Sequence, residues 1–309
     1  MATILKYERF KRTSDVFSEQ FQRELAHWNH QRLAPKFPDE CWYGNHERDA
    51  KMQQRERQFL QTLRDTVSAR AADAPTDADG FIGWFENLKL SGQGQNDPLF
   101  PWLAEDASRA ELTWFFEQEA AGEAGFDDLV AYTQVKLPET AKLELARNYW
   151  DEMGRGNPAG MHGPMLARLT ETLGANPSID TTVPESLALA NAMTAMATNR
   201  YYAWHSIGAL GVIELTAPGR SAMVAQGLRR LGLSDKERRY FDLHAVLDVK
   251  HSEEWNREAL RPLVAEDPRR ANAIAEGALM RLACGERCFD RYRAQLWGSK
   301  TVITPKRQK

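Results

Sequence analysis

Cysteine is scarce in this sequence, with three residues among 309. Cys41 stands alone, while Cys284 and Cys288 lie one helical turn apart and have no other cysteine or histidine close to them in sequence. So few thiols exclude the disulfide framework of a small secreted protein, and they make a structural zinc site unfavourable. We therefore predict reduced cysteines in a cytoplasmic protein.

Long apolar runs and a surplus of charge of one sign are missing as well. No uninterrupted apolar stretch reaches the roughly 18 to 20 residues that a membrane span needs. The first dozen residues, MATILKYERFKR, are too charged for a signal peptide. The net charge is −3, and the one basic cluster, Lys306, Arg307 and Lys309, lies at the C-terminus. We therefore expect neither a membrane nor a nucleic acid as a partner.

Alternating Val, Ile and Thr segments, which are typical of strands, are almost absent, and helix-forming segments separated by short breaks dominate. Caps, prolines and glycines predict helices over about 108–134, 138–173 with an interruption at 154–160, 185–216, 221–231, 235–263 and 268–297. The predicted fold class is therefore all-α. We assign residues 1–95 to an N-terminal helical extension, 96–298 to the main domain and 299–309 to a flexible C-terminal tail.

His244, Asp248 and His251 follow one another at spacings of four and three residues, which places all three on one face of a helix. Two imidazoles and a carboxylate within two turns suit a transition metal such as iron better than they suit a dry core. The alternative is a solvated helix that carries two histidines by chance. Further ligands on other helices would decide between the two.

The helix predicted at 108–134 carries Glu119 and Glu123 one turn apart. Small residues around them allow a neighbouring helix to approach closely, and the nearby aromatic residues argue against a fully solvated face. We predict Glu119 as the ligand from this helix, with Glu123 as the alternative. A surface pair of carboxylates remains the competing interpretation.

Glu152 and His162 are ten residues apart, whereas an ideal helix returns to the same face after seven. The three additional residues must be absorbed by a break for the two side chains to meet. Gly154, Gly156 and Pro158 are the residue types that make such a break inexpensive. The local sequence thus predicts that Glu152 and His162 converge.

Glu214 is the one charged residue in the apolar stretch 207–217. A carboxylate buried without a partner would cost several kcal/mol. A metal ion is one partner that would satisfy it, and Arg220 is the alternative.

Together, four predicted helices offer four carboxylates and three imidazoles. These candidate ligands are Glu119, Glu152, His162, Glu214, His244, Asp248 and His251. Such a set contains more ligands than one metal ion would bind, whereas it would suit two ions bridged by carboxylates. Oxygen ligands with some imidazole and no thiolate fit iron or manganese better than zinc.

These segments resemble the haem-oxygenase-like diiron oxidases and oxygenases. The resemblance is carried by Glu119, Tyr149–Gly156 with Met161 and His162, Gly208–Leu210 with Glu214, and Tyr240-Phe241 with the histidines and aspartate that follow. It covers roughly residues 98–265 and implies a haem-oxygenase-like helical bundle that binds two irons in place of haem. The seven candidate residues would be the iron ligands, O₂ a co-substrate, and an external donor the source of electrons.

Relatives with the complete ligand set tend to be N-oxygenases of natural-product pathways. The resemblance therefore implies oxidation of an amine, or of an amino acid, to a hydroxylamine, nitroso or nitro product. The implied partners are this small molecule and a reductant or redox protein, and a homodimer is compatible with the sequence.

Three alternatives remain open at the level of sequence. A diiron desaturase or an oxidative C–C lyase acting on a fatty acid or amino acid would share every ligand and differ in its pocket. A thiaminase-like enzyme would need a nucleophilic cysteine, and a non-catalytic helical binding protein would have no use for a buried Glu214. Candidate pocket residues are Tyr201, Tyr202, Trp204 and His205, for each of which core packing is the alternative, and Arg155 and Arg220 are candidate carboxylate-binding groups.

Overall fold

Helices are the regular elements of this computed structural model, which describes residues 15–38, 42–123 and 125–298. Within those ranges there is no β-strand. The predicted all-α class is therefore confirmed. The predicted tail at 299–309 and Cys41 lie outside the described residues.

The first α-helices of the chain are α1 (Glu19–Leu33), α2 (Trp42–Ala71), α3 (Ala78–Ser91), α4 (Leu99–Glu105), α5 (Arg109–Glu123), α6 (Phe126–Thr133) and α7 (Glu139–Glu152). They are followed by α8 (His162–Leu173), α9 (Pro184–Thr198), α10 (Ala203–Arg230), α11 (Arg239–Glu254), α12 (Arg261–Glu266) and α13 (Arg269–Gly298). Short 3₁₀ turns span Gly154–Gly156, Pro158–Gly160 and Arg200–Tyr202, and a π-helical turn spans Trp255–Leu260. None of the described helices is long and apolar enough to cross a membrane.

Helix α10 packs against α4, α11 and α13. Its crossing with α13 is so close that both helices need glycine there. A Cβ on Gly208 would lie 1.9 Å from the carbonyl oxygen of Ile274, and a Cβ on Gly277 would lie 1.9 Å from that of His205. Neither backbone can move aside, so a larger side chain would push the helices apart. This crossing holds α10, and with it Glu214, in position.

The N-terminal helices α1 to α3 bury their apolar side chains in the same hydrophobic core as the rest of the chain. Phe21, Phe59 and Phe85 belong to one cluster with Tyr292 of α13. Charged groups add to this packing, since Arg64 of α2 pairs at 2.6 Å with a carboxylate of α13. The extension therefore packs against the main helices, while the boundary predicted at residue 95 stays a prediction.

The helix predicted at 185–216 is broken and extended in the structure. It is interrupted after Thr198, where the side chain of Asn199 accepts a hydrogen bond from the backbone of Tyr201 and caps a new turn. The end predicted at residue 216 is wrong, because α10 continues through Pro218 to Arg230. Proline inside a helix costs about 3 kcal/mol. Val224 and Leu228 are buried beyond it, and burying two such side chains contributes about 3 to 6 kcal/mol.

Two other predicted helices are divided in the structure. The segment 108–134 forms α5 and α6, with Gly125 as the N-cap of the second helix. The segment 235–263 begins with a turn after Ser234 and becomes α-helical at Arg239. It then widens into the π-helical turn just before Pro262. The proline ring would clash with the carbonyl group four residues earlier in a regular helix, and a wider turn relieves that clash.

Candidate metal centre

Four helix segments bring carboxylates and imidazoles together in the interior. Glu152 ends α7, His162 begins α8, Glu214 lies in α10, and α11 carries the remaining three residues. Their side chains are all buried, with exposed fractions of 4% for Glu152, 3% for His162, 2% for Glu214, 6% for His244, 4% for Asp248 and 1% for His251. Burial of so many ionisable groups requires that each be compensated by a partner.

Five of these residues form two groups that share Glu152. In the first, donor atoms of Glu152, His162 and His244 lie within 4.8 Å of one another. In the second, the same holds for Glu152, Glu214 and His251. Each group could hold a metal ion, and Glu152 is common to both.

The two oxygens of Glu152 face different groups. Oε2 lies 2.7 Å from Nδ1 of His162 and 3.6 Å from Nε2 of His244. Oε1 lies 3.8 Å from Nδ1 of His251, which is itself 3.5 Å from Oε2 of Glu214. One carboxylate oriented in this way can bridge two cations.

The break between α7 and α8 brings Glu152 and His162 together, as the glycine and proline spacing predicts. Gly154 and Gly156 adopt φ values of +61° and +83°, and Arg155 between them also lies in the left-handed region. A Cβ on Gly154 would lie 2.5 Å from the carbonyl carbon of Gly160. The two arms of the break therefore touch at a position that only glycine fits.

We expect Gly154→Ala to destabilise the protein by more than the cost of a left-handed alanine. That cost is about 1 to 2 kcal/mol, and the contact with Gly160 adds to it. Gly174→Ala is the matched control, since Gly174 has a φ of +72° and open space around its Cβ position. Urea unfolding of both variants measures the difference. Equal losses of stability would show that the contact between the two arms contributes nothing.

The imidazole nitrogens that face away from the two groups also have partners. Nδ1–H of His244 donates to the carbonyl oxygen of Tyr240 at 2.6 Å. Nε2 of His162 lies 3.0 Å from the hydroxyl of Tyr240, and Nε2 of His251 lies 3.2 Å from Oδ2 of Asp151. Partners of this kind fix the ring orientation and raise the basicity of a ligating histidine.

Glu214 is oriented by Asn148, whose Nδ2 donates to its Oε1 at 2.7 Å. None of these orienting groups was predicted from the sequence. Their spacing in the sequence could have identified two of them, because Asn148 lies four residues before Glu152 and Tyr240 lies four residues before His244. A spacing of four places each on the same helix face as a candidate ligand.

Asp248 and Glu119 face the same small cavity as the two groups without belonging to either. Glu119 accepts a hydrogen bond from the hydroxyl of Tyr292 at 2.6 Å. The side chain of Glu123, the alternative ligand from this helix, lies outside what the structure describes. The structure thus places six of the seven predicted residues around one cavity and His251 beside Glu152 and Glu214, and the role of all seven as ligands remains a proposal.

The carboxylates set the charge state of the metal-free centre. Burial opposes ionisation of Glu152, but its contacts with His162 and His244 outweigh burial and hold the pKa of this carboxyl well below its usual range. Burial likewise favours the neutral form of His251, yet Glu214 and Glu152 beside it raise its pKa to about 9. At neutral pH His251 therefore carries a proton that a metal ion must displace.

The raised pKa of His251 makes the stability of the metal-free protein depend on pH. Because its folded pKa of about 9 exceeds the ordinary 6.5, this contribution is complete below pH 6.5 and is lost as pH rises through 9. We expect the Tm of the chelator-treated protein to fall over this range more steeply than that of His251→Gln. Thermal unfolding of both proteins across the range measures the effect, and parallel curves would contradict it.

Two cavities adjoin the centre. The inner cavity, about 80 Å³, is lined by the candidate ligands other than His251, together with Arg220, Arg281 and Phe289. The outer pocket, about 870 Å³, lies between α3, the loop that follows it, α10 and α11, and it contains Glu86 and Glu253. Phe100, Glu214 and Arg220 line both, so the two spaces meet beside the centre.

The residues predicted to line a substrate pocket lie elsewhere. Tyr201 is 83% exposed, Trp204 lies under the guanidinium of Arg270, and Nε2 of His205 lies 2.9 Å from Glu276. They lie at the first turn of α10 or just before it, and none of them lines either cavity. The structure therefore shows core packing for Tyr202, Trp204 and His205, because these residues precede Glu214 by two or more turns of helix.

The arginine candidates behave differently from one another. Arg155 is exposed and pairs with Asp151 at 2.6 Å, so it faces away from the cavities. Arg220 lines both of them. Arg281, which was not predicted from the sequence, lines the inner cavity.

The thiols described by the structure do not supply a nucleophile. Cys284 and Cys288 are buried and unpaired. Burial raises the pKa of Cys284 to about 11 and that of Cys288 further above its usual value. Both therefore remain protonated at neutral pH, and neither lines the inner cavity. A thiaminase-like reaction through either thiol is thus excluded.

Comparisons with known proteins agree with this description. A family model described as iron-containing redox enzyme matches residues 113–286. A domain of unknown function with a haem-oxygenase-like fold from Shewanella denitrificans superimposes with a TM-score of 0.53 at 14% identity, covering 75% of this chain and 97% of that one. A CADD-like protein of unknown function from Nostoc punctiforme gives a TM-score of 0.48 at 17% identity, covering 79% and 99%. No curated protein matches the sequence.

The superposition on the Shewanella domain identifies the fold as haem-oxygenase-like. Whether iron fits this site can be judged from the chemistry of its donor atoms, independently of the comparisons. Carboxylate oxygens and imidazole nitrogens in two adjoining groups suit iron, and the described groups include no thiolate that would favour zinc.

Proposed function

This chain belongs to the family of iron-containing redox enzymes, and we propose that it is a non-haem diiron oxygenase that uses O₂ to oxidise an amine nitrogen of a small molecule. Glu119, Glu152, His162, Glu214, His244, Asp248 and His251 would hold the two irons. The reaction would yield a hydroxylamine, nitroso or nitro product, and an external donor would supply electrons.

The shared position of Glu152 is the observation that carries this proposal. Its two oxygens face two separate groups of donors, which a single metal ion would not require. Two ferrous ions held there would supply the site at which O₂ is reduced and activated.

The protein itself contributes orientation and exclusion of water. Tyr240 and Asp151 hold the imidazoles of His244 and His251 in one ring orientation, and Asn148 directs Glu214. Preorganised ligands of this kind need no rearrangement when the metal binds. Phe115, Phe126, Phe241 and Phe289 line the inner cavity, and these apolar walls keep bulk water away from an oxidising centre.

An amine substrate agrees with the charge of the outer pocket. Glu86 and Glu253 are exposed carboxylates in its lining, and the cations there are Lys89, which is exposed, and Arg220, which is half-buried beside the inner cavity. Asp97 in the same lining is neutralised by Arg293. The carboxylates on the outer walls would attract an ammonium group toward Glu214.

O₂ consumption by the Fe(II)-loaded protein tests the proposal. The protein would be loaded anaerobically, mixed with O₂ and a chemical reductant, and assayed against a panel of amines and amino acids, with products identified by mass. We expect one substrate class to accelerate O₂ uptake and to gain oxygen on nitrogen. The metal-free protein is the control.

Other outcomes would replace the proposal. A product that has lost two hydrogens would indicate a desaturase, and one that has lost carbon would indicate an oxidative C–C lyase. A chain that binds no iron and consumes no O₂ would be a helical binding protein.

A further inference from the structure

Arg281 is a buried cation without a visible counter-ion. Its side chain lies in α13, the residue is 8% exposed, and its Nε has no hydrogen-bond partner. Within the part of the chain that the structure describes, no carboxylate lies at ion-pair distance from it. A buried guanidinium in this state is unfavourable unless an anion joins it.

The guanidinium is positioned by the helix that carries it. Gly285 follows Arg281 by one turn, and a Cβ at Gly285 would lie 2.8 Å from Nη1. The absence of a side chain at residue 285 therefore lets the guanidinium lie against the helix, where it lines the inner cavity. Its planar arrangement of donors is suited to a carboxylate, which it can bind through two hydrogen bonds.

Arg220 adds a second guanidinium to the same cavity. Its Nη2 donates to Thr216 Oγ1 at 3.0 Å, and its guanidinium lies over the rings of Phe100 and Phe289. When two divalent irons balance the four carboxylates of the centre, the positive charge of Arg281 remains. The loaded cavity would thus favour an anionic guest.

We propose that Arg281 binds a carboxylate of the substrate, which makes the substrate a carboxylic acid that also bears the amine, as an amino acid does. This inference rests on the proposed function and names the substrate class for the same site. The inner cavity of about 80 Å³ accommodates a carboxylate with a few carbon atoms. The rest of the molecule extends into the outer pocket past Phe100, Glu214 and Arg220, which line both spaces.

Propionate binding measured by calorimetry tests the anchor without turnover. The wild type and Arg281→Met would be titrated anaerobically with propionate and with its neutral counterpart propionamide, both Fe(II)-loaded and metal-free. We expect saturable propionate binding to the loaded wild type, at least tenfold weaker binding to Arg281→Met, and weak propionamide binding to both. A tenfold loss is what one charge-assisted hydrogen bond supplies.

Arg287→Met is the matched control. Arg287 lies on the same helix, is exposed, and stacks on the ring of Phe17 at 3.9 Å, so its removal changes the net charge equally without touching the cavity. We expect its propionate binding to equal that of the wild type. The proposal that Arg281 binds a carboxylate would be wrong if Arg281→Met bound propionate as tightly as the wild type. It would also be wrong if the wild type showed no saturable binding.

Iron content separates this inference from the proposed function. Arg281 belongs to neither donor group, so Arg281→Met should retain the iron of the wild type. If the wild type bound no iron, the oxygenase proposal would be wrong. The titrations of the metal-free proteins would then test carboxylate binding by Arg281 on their own. Should Arg281→Met fail to fold, Gly285→Ala takes its place, because the added methyl displaces Nη1. Propionate binding unchanged by Gly285→Ala would then overturn the anchor.

Discussion

Glu152→Ala should lose both irons, whereas His244→Ala and Glu214→Ala should each lose about one of the two. The physical reason is that Glu152 belongs to both donor groups, while His244 and Glu214 belong to one group each. Oε2 of Glu152 faces His162 and Oε1 faces His251, so removing this side chain takes an anionic ligand from each metal position. The seven candidate ligands thus differ in their expected effects, and the pattern is the one that a shared carboxylate would give.

Iron quantitation after anaerobic loading with Fe(II) and gel filtration measures this pattern. Glu144→Ala is the matched control, because Glu144 is a buried carboxylate in the same helix that pairs with Arg147 outside the centre. The control should keep the iron content of the wild type. Retention of about one iron by Glu152→Ala would mean that one metal position forms without it, and the bridged arrangement would then be wrong.

Gly208→Ala is expected to destabilise the protein by about 3 kcal/mol or more, at the upper end of the range for overpacked cores. The added Cβ would lie 1.9 Å from the carbonyl oxygen of Ile274 and 2.8 Å from its carbonyl carbon. Both are backbone atoms of α13, which cannot rotate away as a side chain would. The helices must therefore separate, and the apolar contacts along their crossing are weakened together.

Gly208→Ala should also lower the iron content, because Glu214 lies six residues after Gly208 in α10 and would be displaced with the helix. Gly219→Ala is the control in this helix, since a Cβ at Gly219 meets no atom within 4 Å. Its stability should be unchanged or increased by up to about 1 kcal/mol through helix propensity. Urea unfolding of the metal-free variants measures stability, and iron content measures the centre. A Gly208→Ala protein as stable as the wild type would contradict the close crossing.

The candidate ligands could be chosen from the sequence because their spacing is a local property. His244, Asp248 and His251 share a helix face whatever the helix packs against. The encounter of Glu152 with His162 is also local, since the turn residues between them decide it. Local sequence wrongly predicted that the helix ends before Pro218. Burial of side chains farther along α10 outweighs the cost of the proline.

The cavities could not be predicted in the same way. Arg281 follows Glu214 by 67 residues, and nothing in its own neighbourhood distinguishes it from the other arginines of α13. The pocket candidates at the start of α10 were chosen for proximity along the chain, yet the close crossing of α10 and α13 buries part of that region. Which side chains share a cavity depends on how helices cross, and crossings are set by contacts between distant residues.

By itself, the sequence determined the helical class, the candidate ligands and the break that joins Glu152 to His162. Each of these depends on residues within a few turns of one another, where helix periodicity and turn geometry act. Only the tertiary structure decided that Glu152 lies between two donor groups, that Asn148 directs Glu214, and that Arg281 faces the cavity. These positions depend on the packing of helices far apart in sequence, because burial and close contact act through space.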